Sequence, residues 1–482
     1  MRPQEIQRYL VTRPRQTLGL IAVLSLGLYA WLTWGLEGGG GREDVTAFLV
    51  VMTLLFALYA GAIGVVRGRT NGSRTRDWQV VLAGAVLFRL LLLPAGLNAP
   101  LTDDLTSSGV AYQTFLLYDN DVWRYLWDGH VGASGLDPYI YSPADVEELA
   151  ASGDPLYEPL LEEDLWFDIF DQVSYQEYAT IYPPLAQLYF RAVVTLVPGS
   201  VFLLKLGLAL IDIATCLLLA AFLRHLGQRR ANVVIYAWNP LAVKEIAGSG
   251  HVDALMIFFV VLTLYCLVRG FHRAGLAAYA LAILTKLTPI FLLPLILRRV
   301  PLRHWIVLPA VGFIFYLPFL GSAFTMLDSL KAFSRDWVFN PGPWAVVHDI
   351  AWRIIGLPGR TAADLFTLLA LGIAIVWALR HDRAHGNGTP QSLITGAIVI
   401  LGTYLVTSST VMPWYLLWVL ALTTLRPLWS WLALTWLSLL SYLVYVDGTA
   451  HSWWLWMEFT AFFLLLAWEL VRSRERSRCS RT

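Results

Sequence analysis

The chain is built from apolar runs, each long enough to cross or nearly cross a lipid bilayer. A transmembrane helix needs about 20 mostly apolar residues, because the hydrocarbon core is about 30 Å thick. Lys286 and Pro289 interrupt one run, which we therefore expect to form two short helices. The pattern predicts an all-α polytopic membrane protein with about 14 transmembrane helices. The runs occupy residues 17–36, 45–66, 79–97, 200–223, 231–247, 251–269, 274–298, 304–320, 362–379, 391–407, 412–425, 428–446 and 452–471.

The composition agrees with a membrane protein and excludes several other classes. Of the 482 residues, 57% are hydrophobic and 14% are charged, whereas soluble domains carry about 25% charged residues. The net charge of +1 gives no reason to expect nucleic acid as a partner. Cys216, Cys266 and Cys479 are too scattered in the sequence to predict a disulfide framework or a zinc site.

The basic residues indicate which side of the membrane each connection occupies. If the helices alternate, 24 of the 35 Lys and Arg residues fall in the termini and in connections on one side. By the positive-inside rule that side is the cytoplasm, so both termini are expected there, in a multi-pass protein of the plasma membrane. We divide the chain into three N-terminal helices (1–97), an extracytoplasmic catalytic loop (98–199), the remaining helices (200–471) and a basic cytoplasmic tail (472–482).

The first long loop, from about residue 98 to 180, lies on the opposite, extracytoplasmic side in this topology. It contains 17 of the 34 acidic residues and a single Lys or Arg, Arg124. Connections this long are usually functional or disordered, and the Tyr and Trp content argues against disorder. The segments Ala144–Ala151 and Asp164–Gln176 are predicted to be short amphipathic helices on the membrane surface.

Three further groups of polar residues interrupt or border apolar runs on that same side. They are Trp238–Asp253 with Lys244, Glu245 and His251, then Thr285–Pro289 with Lys286, and finally Ser408–Tyr415. Broken helices at membrane depth are tolerated where they line a protein-buried or water-filled cavity. Ionisable residues at this depth are candidates for a functional site. We therefore expect the three groups and the acidic loop to form one cavity.

Each of these groups also has a purely structural interpretation. Lys244 and Lys286 would then extend towards the membrane interface. His251 and Asp253 would cap a helix, and Asp121 would be the N-cap of a helix over Val122–Trp127. Trp414 and Tyr415 would belong to an interfacial aromatic belt. Arg89 and Asp212, both inside apolar runs, are expected to pair structurally.

The order of the polar motifs resembles the integral-membrane GT-C glycosyltransferases that use polyprenyl-phosphate sugars, particularly mannosyltransferase-like members. The similar segments are DNDVWRYLWDGHVGASGLDPYIYSP, IYPPLAQLYF, WNPLAVKEIAGSGHVDA, LTKLTP and MPWY, so the resemblance covers about residues 80–420. In the first two segments, the residues that match the family pattern are Asp121, Arg124, Tyr125, Trp127, Asp128, Gly129, Pro138, Tyr139, Tyr141, Tyr182, Pro183 and Pro184.

Two positions depart from the pattern. The family often has an acidic pair where this chain has Asn120-Asp121, with Asp119 one place earlier. This departure argues against a metal site that needs two adjacent carboxylates. Met412 stands where the family frequently has a histidine, which removes one hydrogen-bond donor to a sugar or phosphate.

The resemblance implies an inverting hexosyl transfer, with mannose as the expected sugar, from a polyprenyl-phosphate donor to a glycan or glycolipid acceptor. A carboxylate within reach of the acceptor hydroxyl serves as general base, and Asp121 is our candidate. Arg124 and Lys286 are candidates for stabilising phosphate charge. We assign no cofactor and name no metal ligand from the sequence, which leaves open whether the enzyme uses a divalent cation. The expected substrate-binding residues are Asp119, Arg124, Tyr125, Asp128, Tyr139, Tyr182, His251, Asp253, Lys286, Trp414 and Tyr415.

Two other functions remain open from the sequence. A transporter or flippase of lipid-linked saccharides would also have broken helices at membrane depth. The one-sided loop and the lack of a visible internal repeat argue against it. Asn120 leaves room for a catalytically inactive homologue with a binding role.

Overall fold

The computed structural model describes residues 14–36, 44–68, 77–96, 117–322, 325–384, 388–447 and 453–479. Within these ranges the chain is helical, as predicted, and its β pairing is limited to one isolated bridge between Phe339 and Thr410. Residues 98–116 of the predicted catalytic loop and the last three residues of the tail lie outside the described ranges.

The helices follow in chain order. The first seven are α1 (Pro14–Trp34), α2 (Val45–Arg67), α3 (Asp77–Leu92), α4 (Asp121–Ala133), α5 (Pro143–Ala151), α6 (Asp164–Gln172) and α7 (Pro184–Leu196). The next seven are α8 (Val201–His225), α9 (Val234–Ala237), α10 (Pro240–Val243), α11 (Asp253–Val268), α12 (His272–Thr285), α13 (Leu293–Arg298) and α14 (Val307–Tyr316). The last eight are α15 (Thr325–Asp336), α16 (Gly342–Asp349), α17 (Gly359–Ala384), α18 (Pro390–Thr407), α19 (Leu416–Leu425), α20 (Trp429–Leu437), α21 (Val444–Asp447) and α22 (Trp453–Cys479). Between them lie short 3₁₀ or π segments at Glu158–Leu160, Arg230–Val233, Lys244–Gly248, Thr288–Leu292, Leu302–His304, Leu317–Phe319, Ile350–Ile355, Pro413–Tyr415 and Ser438–Leu443.

Eight helical stretches of the described residues are long and apolar enough to cross a membrane, so the chain is a membrane protein. They are Pro14–Trp34, Val45–Arg67, Val201–His225, Leu302–Phe319, Gly359–Ala384, Pro390–Thr407, Trp429–Val446 and Trp453–Ser473. Three shorter apolar stretches, Asp253–Val268, Thr288–Arg298 and Pro413–Leu425, accompany them. Several predicted runs thus form short or broken helices, and the count of about 14 crossings stays a prediction.

The predicted interruption of the run at 274–298 is present in the structure. Helix α12 ends at Thr285, Lys286 is extended, and a 3₁₀ turn begins at Thr288. The run at 231–247 is broken as well, because Pro240 starts a new helix that Asn239 caps. The side-chain oxygen of Asn239 accepts hydrogen bonds from the backbone N–H groups of Leu241 and Ala242.

The turn that leads into α11 depends on Gly250. Its φ of +84° lies in the left-handed region, which residues with a Cβ rarely adopt. A Cβ on Gly250 would also lie 2.9 Å from Cγ1 of Val122, near the start of α4. The glycine therefore lets the turn approach α4 closely, and this turn carries His251 and Asp253.

Two short helices form where the sequence predicted amphipathic segments, although the second ends at Gln172 rather than Gln176. Their position on the membrane surface stays a prediction. Helix α5 has a capping box, in which the side chains of Ser142 and Asp145 each accept from the backbone N–H of the other residue.

Helices α4 and α7 pack closely at Gly129. A Cβ on this residue would lie only 2.6 Å from the carbonyl oxygen of Phe190. Gly129, in the Trp-Asp-Gly motif, thus allows α4 to approach α7 closely.

The predicted pair of Arg89 and Asp212 is a fully buried ion pair with an N–O distance of 2.6 Å. Arg89 also donates to the carbonyl of Ala237, and the hydroxyl of Tyr236 donates to Asp212. A buried charge pair needs such additional hydrogen bonds to offset the loss of water. This pair therefore links α3 and α8 to the broken segment that leads to the site.

Candidate active site

The acidic loop and two of the three polar groups predicted to converge, those around Lys286 and Trp414, line one cavity of about 600 Å³. The third group, Trp238–Asp253, contributes no residue to the wall, so His251 and Asp253, predicted to bind substrate, lie behind it. The loop before α4, the segment between α6 and α7, the break after α12 and the segment around Pro413–Tyr415 all contribute to its wall. Among the predicted residues, the wall includes Asp119, Asp121, Arg124, Tyr182, Lys286, Trp414 and Tyr415. Asn120 and Met412, the two departures from the family pattern, lie in the same wall.

Asp121 is the first residue of α4, and its side chain is 33% exposed. The hydroxyls of Tyr125 and Tyr182 donate to its Oδ2 at 3.2 and 3.5 Å. Nδ1 of His251 lies 3.6 Å from the same oxygen. Of the described residues, none donates to Oδ1, so Asp121 retains an acceptor atom for a hydroxyl that enters the cavity.

Asp119 supplies the second carboxylate that the adjacent position lacks. It is 7% exposed, and its Oδ1 accepts from the backbone N–H of Asp121 at 2.9 Å. Its Oδ2 lies 3.5 Å from Nε2 of His251. Asn120 points elsewhere and donates to the hydroxyl of Ser174. Two carboxylates separated by one residue therefore lie against the two nitrogens of one imidazole.

His251 is fully buried and stacks on Trp414, with ring centroids 3.8 Å apart. Its Nε2 also lies 3.2 Å from Oε2 of Glu245. Glu245 in turn accepts from Tyr442 and from Lys244, at 2.5 and 3.0 Å. The imidazole is thus held between a stacked indole and three carboxylates.

These contacts set the protonation states around Asp121. Burial acts to raise the pKa of Asp121, but His251 and then Lys286 outweigh burial and hold this pKa below its usual value. Burial likewise acts to lower the pKa of His251, whereas the surrounding carboxylates raise it to about 10. Burial raises the pKa of Asp119 to about 7, against the effect of His251. At neutral pH Asp121 is therefore ionised beside a protonated His251.

Lys286 is held at the helix break by Asp253. Its Nζ lies 2.9 and 3.1 Å from the two carboxylate oxygens of Asp253, which also accepts from the indole N–H of Trp418 at 2.6 Å. The rings of Tyr415 and Trp418 lie 4.2 and 5.0 Å from Nζ. An ammonium has three N–H donors, so Lys286, which is 19% exposed, can hold an anion as well as Asp253.

Several predicted substrate-binding residues lie behind the wall or have other partners. Arg124 reaches the cavity but bonds Asp128 and the carbonyl of Tyr178 rather than Asp121. Asp128 is 2% exposed and accepts from Thr180 and Gln187. Tyr139 is 1% exposed and donates to the carbonyl of Tyr182. Asp128 and Tyr139 are therefore placed to support the loop, and the fully buried Tyr125 contacts Asp121 through its hydroxyl.

The structural interpretations of the charged residues differ from what is observed. Lys244 is fully buried against Glu245 and Tyr442, so it does not extend to the interface. Val252, and not His251, is the N-cap of α11, and no side chain caps that helix. Likewise Asn120 holds the N-cap position of α4, and Asp121 is its first helical residue.

Sequence reasoning missed a group of aromatic residues in the cavity wall. Tyr175 and Tyr178 follow α6, Phe333 and Trp337 lie at the end of α15, and Tyr445 follows the 3₁₀ turn after α20. Tyr445 was hidden in an apolar run, where an aromatic residue is ordinary. The signal that was available for Tyr175 and Tyr178 was their position seven and four residues before the Tyr-Pro-Pro motif.

Among the described residues, Asp119, Asp121 and His251 have ligand atoms that all lie within 4.8 Å of one another. Carboxylate and neutral imidazole are ligands of divalent cations, so these three residues would hold one if His251 gave up its proton. The site is therefore compatible with a bound divalent cation. The cavity holds a carboxylate, Asp121, and a cation, Lys286, an arrangement that suits displacement of an anionic leaving group by a hydroxyl.

Two comparisons with known proteins agree with this chemistry. The family model described as the N-terminal domain of α-(1→6)-mannopyranosyltransferases matches residues 113–300. The α-(1→6)-mannopyranosyltransferase A of Mycobacterium tuberculosis (strain ATCC 25618 / H37Rv) is 25% identical over 407 residues, which is 75% of this chain and 72% of the relative. The family match includes Asp119, Asp121, His251 and Lys286. Both comparisons confirm the resemblance that the ordered motifs indicated.

Proposed function

We propose that this chain, a membrane glycosyltransferase similar to the α-(1→6)-mannopyranosyltransferases, transfers mannose from a polyprenyl-phosphate donor to a hydroxyl of a glycan or glycolipid acceptor. The observation that carries the proposal is that an ionised, partly exposed Asp121 and the ammonium group of Lys286 line the same cavity. These are the two charges that the transfer needs, one for the acceptor proton and one for the departing phosphate.

The reaction is a single displacement. Asp121 takes the proton of the acceptor hydroxyl, the oxygen forms a bond to the anomeric carbon, and the bond from that carbon to the phosphate oxygen breaks. The electron pair leaves with the polyprenyl phosphate, whose growing charge Lys286 stabilises. Because attack and departure occur on opposite faces of the carbon, the anomeric configuration inverts.

The lengths of the polar segments on the two sides of the membrane support a lipid-linked donor over a nucleotide sugar. A nucleotide-sugar enzyme typically has a water-facing α/β domain with a phosphate-binding turn. Here the described chain is helical, and the predicted cytoplasmic connections are short and rich in arginine. A lipid-linked donor reaches the cavity by diffusion in the membrane and presents its phosphate at the break that carries Lys286.

The sugar and the side of the membrane have separate support. Mannose is supported by the printed descriptions of the family model and of the relative. The extracytoplasmic position of the cavity is supported by the arginine distribution and by the acidic character of the loop that contains Asp121. Both termini are then cytoplasmic, in the plasma membrane.

The test uses purified protein with no enzyme present that makes lipid-linked sugars. Polyprenyl-phosphate mannose and GDP-mannose are supplied separately with an α-(1→6)-linked mannose acceptor, and Asp121→Asn serves as the inactive control. We expect transfer from the lipid donor alone. Transfer from GDP-mannose would contradict the donor class, and transfer from polyprenyl-phosphate glucose or arabinose but not mannose would contradict the sugar.

A further inference from the structure

One side of the cavity is an aromatic wall made of Tyr175, Tyr178, Phe333 and Trp337. The centroids of the Tyr175 and Phe333 rings lie 3.5 and 4.6 Å from that of Trp337, and the Tyr178 ring lies 6.5 Å away. Trp337 therefore stands at the centre of a continuous aromatic surface, which the proposed transfer chemistry does not use.

The aromatic wall comes from parts of the chain that are not candidate membrane spans. Tyr175 and Tyr178 lie between α6 and α7, and Trp337 directly follows α15. A polyprenyl chain stays in lipid, so the donor must reach the cavity through the membrane-spanning part. A water-soluble portion of a second substrate would approach the wall from the side of the loop.

Polar groups lie among these rings in the same cavity. Glu177, Asn120 and Ser174 line the cavity next to the wall, and Arg124 donates to the carbonyl of Tyr178 at 2.9 Å. A hydrocarbon chain would cover the exposed carboxylate of Glu177 and exclude water from it, which is unfavourable. A pyranose ring suits these polar groups, because it has an apolar C–H face for an aromatic ring and hydroxyls around its edge.

The backbone around Trp337 is fixed to the segment that leads to Trp414. The carbonyl of Trp337 accepts from the hydroxyl of Thr410 at 3.1 Å. Phe339 donates to the carbonyl of Ser409 and accepts from the N–H of Val411, at 3.1 and 2.8 Å. These hydrogen bonds hold the backbone at Trp337 without any contribution from a ligand, which would reduce the entropy lost on binding.

Tyr175 adds an independent sign of function. Its φ is +59°, in a region where a bulky residue is an outlier, and its side chain is 50% exposed. Such strain persists where the surroundings hold the residue in place, and it is concentrated at binding and active sites. Its conformation brings the tyrosine ring against Trp337 rather than into the protein interior.

We propose that the aromatic wall is the acceptor subsite, where a pyranose ring of the acceptor glycan stacks on Trp337 and its hydroxyls bond the neighbouring polar groups. This assignment rests on the proposed function, because it takes the second substrate to be a glycan. It separates the two substrates within the cavity, with the acceptor at Trp337 and the donor phosphate at Lys286.

The first experiment measures the Michaelis constants of both substrates in the full-length protein. Trp337→Ala should raise the acceptor KM roughly 10-fold or more while the donor KM stays within about twofold, since one lost aromatic contact of about 1.4 kcal/mol is a tenfold change. Trp337→Tyr keeps a ring and should recover most of the affinity. Trp352→Ala is the matched control, because Trp352 is 63% exposed and does not line the cavity. A rise in the donor KM alone, or unchanged constants, would overturn the proposal.

The second experiment guards against a variant that merely unfolds. Tyr175→Gly removes the ring and also relieves the positive φ, so the melting temperature should be unchanged or higher while the acceptor KM rises. An unchanged acceptor KM in a folded Tyr175→Gly protein would contradict the proposal that the aromatic wall binds the acceptor.

The third experiment separates this proposal from the proposed transfer. An α-(1→6)-linked mannotriose is titrated into the protein by calorimetry with no donor present. Binding that Trp337→Ala weakens roughly 10-fold or more supports the subsite even if polyprenyl-phosphate mannose proves not to be the donor. Absence of mannotriose binding to the wild-type protein, or equal binding by Trp337→Ala, would refute the subsite even if transfer is observed.

Discussion

Nδ1 of His251 lies 3.6 Å from Oδ2 of Asp121, although the two residues are 130 positions apart in the chain. The turn that carries His251 reaches the start of α4 because Gly250 leaves room for Val122. The imidazole is held there by its stacking on Trp414 and by Asp119 and Glu245. We infer that His251 acts through Asp121, as a positioning residue that keeps this carboxylate ionised.

Asp121→Asn should reduce turnover by about 10²–10⁴-fold, the usual contribution of general acid–base catalysis. The amide keeps the shape of the side chain but cannot take the acceptor proton. The matched control is Asp164→Asn, since Asp164 is also the first residue of a helix but is exposed outside the cavity. Initial rates of mannosyl transfer test this prediction, and wild-type turnover from folded Asp121→Asn would remove Asp121 from the base role.

His251→Gln should move the acidic limb of the pH profile of kcat/KM to higher pH. In the wild-type protein His251 lowers the pKa of Asp121, so the base is ionised well below neutral pH. Without that cation burial dominates, the pKa of Asp121 rises, and protonation inactivates the variant at a pH where the wild-type protein still works.

The control for this pH measurement is His348→Gln, because His348 pairs with Asp349 away from the cavity. The readout is the full profile from about pH 5 to 8, the range in which a perturbed carboxyl would titrate. A His251→Gln protein with lower activity but an unmoved acidic limb would show that the histidine does not tune Asp121.

Lys286→Met should raise the donor KM and lower kcat while leaving the acceptor KM nearly unchanged. Methionine keeps an unbranched apolar side chain but has no charge for the phosphate. We expect a combined loss on the order of 10²-fold in kcat/KM, as for removal of one electrostatic donor to a developing anion. Lys331→Met is the control, because Lys331 is 77% exposed and pairs with Asp328. If both variants have wild-type kinetics, Lys286 serves only to neutralise Asp253.

A cysteine at Ser152 should react with a membrane-impermeant thiol reagent in intact cells, whereas the native Cys479 should react only after lysis. Ser152 is exposed at the end of α5, in the loop that we place outside the cytoplasm. Cys216 and Cys266 are buried, so they contribute little background. Labelling of Cys479 and not of Ser152→Cys in intact cells would reverse the proposed orientation.

The elements predicted most successfully were those in which a local pattern determines the structure. Apolar runs gave the helices, Lys286 and Pro289 gave the break after α12, and the pair of Arg89 and Asp212 followed from two charges that an apolar environment must neutralise. The ends of the helices were predicted less well. The run at 231–247 was predicted as one segment, but it divides because Asn239 caps a new helix that begins at Pro240.

The details of the site depend on contacts between distant segments, which periodicity cannot reveal. Arg124 lies three residues after Asp121, a spacing that puts both on one face of a helix. The arginine instead pairs with Asp128, four residues further on, and also donates to the carbonyl of Tyr178. Tyr139 was expected to face a sugar, but Phe319 and Met326 pack around it. Trp337 was overlooked because no local pattern distinguishes a platform from an ordinary aromatic residue.

The position of Asn120 has a consequence for how proteins of this kind are recognised in genomes. Its amide is turned towards Ser174, and Asp119, two residues before Asp121, occupies the place beside the imidazole. A search pattern that demands two consecutive acids would discard this chain as degenerate. A pattern that accepts any two acids within three positions, followed later by Gly-His-x-Asp, would keep it. Such a pattern selects sequences by where their side chains lie in the folded site rather than by which residues are adjacent in the chain.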